Sequence, residues 1–84
     1  MDAEKINQAG GLPPYQQLAG ILRRRIERGE LAGRLPSEVT LGQQFGVSKS
    51  TVRKALRVLR EAGLIGTSQG WGSRVLSPGE RPGA

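Results

Sequence analysis

Between two stretches of helical periodicity the chain leaves only Gly46-Val47-Ser48, and that spacing constrains the fold more than any other feature of the sequence. A glycine can end one helix in the left-handed conformation, a valine can fill the angle between two helices, and a serine can cap the amides of the next. Two helices joined this tightly form a helix-turn-helix. The first of the pair opens at Leu35-Pro36-Ser37-Glu38, where Ser37 caps and Glu38 faces the positive end of the helix dipole. Leu41 and Phe45 supply its buried face. The second is predicted over 49–62, ending at Gly63. On a helical wheel Val52, Ala55, Leu56, Leu59 and Ala62 fall on one side, and Ser50, Arg53, Lys54 and Arg57 on the other.

Another helix is expected upstream, beginning after Pro13-Pro14, running through Arg28 and stopping at Gly29. Leu18, Leu22 and Ile26 recur along it, flanked by Tyr15 and Ile21, so this stripe faces the core. Arg23, Arg24 and Arg28 lie opposite, expected as a solvated face partly neutralised by Glu27 and Glu30, with direct DNA contact as the alternative. Downstream, 64–68 and 73–76 read as two short strands around Gln69-Gly70-Trp71-Gly72, a hairpin attached directly to the preceding helix. The expected fold is therefore α+β, a winged helix-turn-helix of three helices followed by a two-stranded β-hairpin wing, over residues 13–76. The polar segment 1–12 and the segment 77–84, Ser-Pro-Gly-Glu-Arg-Pro-Gly-Ala, are expected to be flexible and to form no packed element.

Eighty-four residues, 36% of them hydrophobic, suffice for one small core and no second. Thirteen Lys and Arg against seven Asp and Glu leave a net charge of +6, which favours a polyanionic partner. A membrane surface is the weaker candidate, because the apolar runs are short and the aromatics are only Tyr15, Phe45 and Trp71. No secretory signal is visible in 1–11, and there is no cysteine for a disulfide framework, so the cytoplasm is the expected location. Without histidine or cysteine the usual metal sites and imidazole relays cannot be built, and the carboxylates are scattered. Gly70-Trp71-Gly72 lacks the third glycine and the strand-loop-helix context of a phosphate-binding loop. No enzyme and no cofactor are expected.

From Ser48 to Arg60 there are five cations, Lys49, Arg53, Lys54, Arg57 and Arg60, and no acid. A basic helix that follows a tight turn has the shape that enters the major groove of double-stranded DNA, where arginine and lysine donate to guanine O6 and N7. Ser48, Ser50 and Thr51 add short hydroxyls for phosphates or base edges, and Ser37 and Thr40 stand at the start of the helix before. Arg53 lies in the groove-facing half, whereas Arg57 and Arg60 lie further along and meet phosphates or solvent. At the wing, Gly70 offers an amide to a phosphate and Arg74 a charge. Trp71 either packs on sugar or in the minor groove, or folds back over the first helix or the sheet. A protein-interaction module without specific DNA binding is the alternative from another class; such a module would normally lose the cation cluster.

Leu35-Pro36-Ser37-Glu38, Phe45-Gly46-Val47-Ser48-Lys49-Ser50-Thr51-Val52-Arg53-Lys54-Ala55-Leu56, Leu59 through Gly63-Leu64-Ile65, and Gly70-Trp71-Gly72-Ser73 together resemble the DNA-binding domain of the GntR family of bacterial regulators. Tyr15-Gln16-Gln17-Leu18 resembles that family's opening, and the likeness covers about 14–75. It implies a winged helix-turn-helix that binds a palindromic operator, usually as a homodimer, and is released by a small-molecule effector bound to a separate C-terminal domain. It places contacts on Ser48, Lys49, Ser50, Thr51, Arg53 and Gly70. Four features depart from the family. Val39 stands where an arginine that reads a base is common. The connection from Gly29 to Leu35 is about two residues short, which leaves a strand near Arg34-Leu35 open. Trp71 replaces a basic residue, and nothing from Pro78 onward could form an effector domain.

Overall fold

Proline opens the first helix because the amide it lacks is one that no helical carbonyl would have bonded. In the computed structural model, which describes residues 6–7, 11–68 and 72–81, α1 spans Pro14–Glu27 with Pro14 in its first turn. Ser37 opens α2, Glu38–Phe45, and Ser48 opens α3, Lys49–Glu61. Two antiparallel strands follow, β1 at Ile65–Ser68 and β2 at Gly72–Val75, paired Ile65 to Val75 through Ser68 to Gly72.

α1 packs on α3, α2 packs across α3, and β1 continues from it. The core lies in the seam and takes Leu18, Leu22 and Ile26 from α1, Leu41 from α2, and Val52, Ala55, Leu56 and Leu59 from α3. Leu35, Leu64, Ile65 and Val75 close it from the wing side. Burying one such leucine is worth roughly 1.5–3 kcal/mol, against about 0–1 kcal/mol for an exposed ion pair. The apolar seam therefore sets α3 in place, and the charges of its outer face are left for other work.

The turn between α2 and α3 has the expected chemistry. Gly46 takes φ 68°, the left-handed conformation, and the Val47 amide donates to the Gly42 carbonyl at 2.9 Å. Val47 packs, half-buried, against the core. The end of α3 differs from expectation by one residue. Glu61 is the last helical residue, and Gly63 at φ 78° swings the chain back, with the Leu64 amide on the Leu59 carbonyl at 3.0 Å. Ala62, expected on the apolar side, is consequently exposed, and Leu64 enters the core in its stead. Phe45 is only half-buried, with the Arg25 guanidinium 5.3 Å from its ring centroid.

The short connection before α2 still reaches the wing. Arg34 bridges Arg74 across the outer side of β2, with Leu35 donating to the Ser73 carbonyl at 3.0 Å and Val75 to that of Gly33 at 2.7 Å. A strand near Arg34-Leu35 is thus reduced to a single bridge. A few described residues outside 13–76 make contacts of their own. Asn7 and Gln17 exchange hydrogen bonds of 2.7 Å, and Ile6 rests on the core. Within 77–84, Pro78–Glu80 forms a 3-10 turn that buries none of its residues.

Candidate nucleic-acid interface

Two identical caps build the face that α2 and α3 present. Ser37 Oγ accepts from the Thr40 amide at 3.1 Å and donates to Thr40 Oγ1 at 3.0 Å. Ser48 Oγ likewise accepts from the Thr51 amide at 3.2 Å and donates to Thr51 Oγ1 at 3.1 Å. The Ser-x-x-Thr spacing thus closes each helix start with its own side chains, while Ser37, Thr40, Ser48, Lys49 and Ser50 stay exposed and Thr51 half-buried.

Lys49, Arg53, Lys54, Arg57 and Arg60 are all exposed on α3. Arg53 Nε donates to Glu38 Oε1 at 3.0 Å, so the fifth residue of α3 is tied to the first of α2. Glu38, Arg53, Leu56, Arg57 and Arg60 line a shallow groove of about 250 Å³. Lys54 turns toward α1 and places its ammonium 6.0 Å from the Tyr15 ring centroid. Among the described residues, Lys49, Lys54, Arg57 and Arg60 form no ion pair. On α1, by contrast, Arg23 pairs with Glu27 at 3.2 Å and Arg28 with Glu30 at 3.8 Å, the neutralised surface expected there.

At the wing, Gly70 and Trp71 lie outside the described residues. Arg74 holds the Glu80 carboxylate with both terminal nitrogens, at 2.6 and 3.2 Å. The same carboxylate accepts from the amide and hydroxyl of Ser77, at 2.9 and 3.1 Å. The Arg74 bond, then the two Ser77 bonds, bring the Glu80 pKa down to about 2, and Arg74 is raised in turn. The charge expected to face a duplex is therefore already paired within the chain. A second groove, of about 240 Å³, joins the start of α2 to β2 between Ser37, Glu38, Leu56 and Ser73. Among the described residues no acidic cluster could hold a metal ion, and no helix is long and apolar enough to cross a membrane.

The family model described as bacterial regulatory proteins, gntR family, matches residues 14–75. This chain belongs to the GntR family. The family is one of transcription regulators rather than enzymes. The chain is 46% identical over 68 residues to the mannosyl-D-glycerate transport/metabolism system repressor MngR of Escherichia coli K12, covering 79% of the chain and 28% of that repressor. To the HTH-type transcriptional repressor NagR of Bacillus subtilis 168 it is 40% identical over 75 residues, covering 87% of the chain and 31% of the relative. It spans less than a third of either. The fold matches the AraR DNA-binding domain, solved in complex with operator ORE1, at a TM-score of 0.78 and 35% identity, covering 89% of this chain and all of that one.

Two residues of this GntR-family domain matter more than the sequence alone indicated. Glu38, placed by the sequence at the positive end of the helix dipole, also holds the central arginine of α3. Gly42 carries no motif of its own in the sequence, yet a Cβ there would come 2.8 Å from the Val47 carbonyl oxygen. Its place four residues before Gly46 is the one sequence signal that could have found it.

Proposed function

We propose that this chain is the operator-reading domain of a GntR-type transcription repressor that acts in the cytoplasm as a homodimer on a palindromic site. The uninterrupted cationic face of α3 carries the reading, on a fold shared with a domain solved on its operator. In this arrangement α3 enters the major groove. Lys49, Ser50 and Arg53 face bases or phosphates, Arg57 and Arg60 follow the backbone, and the two capped starts at Ser37 and Ser48 approach phosphates with Thr40 and Thr51. Lys54 steadies the contact with α1. The wing, with Gly70 and Trp71, lies along the adjacent backbone or in the minor groove. The relatives are several times longer, so an effector small molecule would be bound by a further domain and not by these residues.

Selection of bound duplexes from a random pool tests this directly. A discrete half-site, repeated in inverted order at fixed spacing, is the expected product, and Trp71, the sole tryptophan, should change its emission as that duplex is added. Failure to enrich any duplex above background would return the chain to the protein-interaction class.

A further inference from the structure

We propose that Val39 is a specificity-determining residue that recognises the C5-methyl group of a thymine in the major groove. The assignment rests on the DNA-binding reading above and adds a base feature that the cations cannot read.

A lone exposed valine needs no explanation in itself; the placement of this one does. Val39 is 49% exposed and is the second residue of α2. Glu38, immediately before it, holds Arg53 of α3 at 3.0 Å, and Thr40, immediately after it, is bound to the Ser37 cap. The start of α2 is thereby fixed against the groove-facing side of α3, with Val39 between the two attachments. Leu41 and Gly42 take the buried side of α2, so Val39 turns outward. Side chains on a helix lean toward its N-terminus, which carries the Val39 methyls over the capped end that approaches the duplex. A β-branched residue in a helix also keeps one preferred rotamer, so little freedom is lost when those methyls meet a surface.

The chemistry then selects the base. Valine has neither donor nor acceptor, and it can match neither guanine O6 and N7, adenine N6 and N7, nor cytosine N4. The thymine methyl is the apolar feature of the major groove. Of the other exposed large hydrophobics among the described residues, Leu12 precedes α1 and Val58 lies in the C-terminal half of α3, away from the Arg53–Glu38 junction. Val39 alone of the three stands beside it, so the A·T pair it contacts neighbours the pair that Arg53 contacts.

The test uses the 84-residue chain and its selected duplex. Each thymine is replaced in turn by deoxyuridine, which removes the methyl and keeps the pairing, and affinity is measured for the native chain and for Val39→Ala. At one thymine in each half-site the native chain should lose about fourfold, the worth of one buried methyl group. Val39→Ala should bind thymine and uracil equally at that position and discriminate normally elsewhere. Val39→Thr, close to valine in shape, provides a second variant with part of the effect should the alanine variant fold poorly. Equal thymine-to-uracil ratios in native and variant proteins at every position would overturn the assignment while leaving specific DNA binding intact. Absence of any selected duplex would instead remove the underlying reading, and the assignment with it.

Discussion

Arg53 of α3 and Glu38 of α2 are joined by a single hydrogen bond of 3.0 Å through Nε, and the two terminal nitrogens of Arg53 are bonded to no described residue. The carboxylate thus holds the stem of the guanidinium and leaves its fork unbonded among the described residues. Both partners are at least a third exposed, so the pair adds about 0–1 kcal/mol to stability. Arg53→Ala should remove about 1–3 kcal/mol of discrimination between specific and random duplex. Glu38→Gln should lower specific affinity with little change in melting temperature. Fluorescence anisotropy on both duplexes checks each variant, and equal losses on the two for Arg53→Ala would assign that residue to the backbone.

The unpaired cations of α3 predict a salt dependence. If three to five phosphates are neutralised, log Kd against log salt should change with a slope of magnitude roughly 3 to 4.5 per domain. Titration of a random duplex between low and moderate salt measures it. A slope near zero would count against groove binding. Arg60→Ala should flatten the slope by about 1 and leave sequence preference untouched.

Gly42 predicts the opposite of helix propensity. Alanine in a helix interior is about 1 kcal/mol better than glycine, yet its Cβ would meet the Val47 carbonyl oxygen at 2.8 Å, and overpacking of this kind costs about 1–3 kcal/mol. The oxygen belongs to the backbone of the turn and cannot rotate aside. Gly42→Ala should therefore lower stability on balance, by up to about 2 kcal/mol, and loosen the angle between α2 and α3. Thermal unfolding followed by circular dichroism reads the first effect; an unchanged or raised melting temperature would contradict it.

The Arg74–Glu80 latch predicts an acid transition. The Glu80 pKa is lowered to about 2 from 4.5, so its contribution is fully present above 4.5 and fades as pH falls toward 2. The Glu80 carboxyl resonance should titrate near 2 in the native chain and move toward 4.5 in Arg74→Gln, whose main stabilising bond is gone. A native midpoint near 4.5 would show that the latch does not persist in solution.

Most of the helical architecture was legible because its signals are local. Ser37 and Ser48 act on amides three residues away, Gly46 and Gly63 on the turn they occupy, and the apolar stripes repeat within one or two helical turns. The cations of α3 were legible for the same reason, since alternation around one helix decides which are exposed. The isolated bridge to the wing was not, because Arg34 and Arg74 meet only when the core brings the connection before α2 alongside β2. Nor was the turn at Pro78–Glu80, which one carboxylate holds together with an arginine and a serine.

By itself, then, the sequence determined the three helices, the tight turn, the hairpin and the sign of the charge on α3, each a consequence of residues within a few positions of one another. Only the tertiary structure decided which cations are spoken for. Arg53 meets an acid fifteen residues back, and Arg74 meets Glu80 six residues on. The physical reason is that pairing energies depend on distance through space, and the Arg53–Glu38 distance exists only after α2 has packed on α3, as the Arg74–Glu80 distance exists only after the chain has turned at Pro78–Glu80.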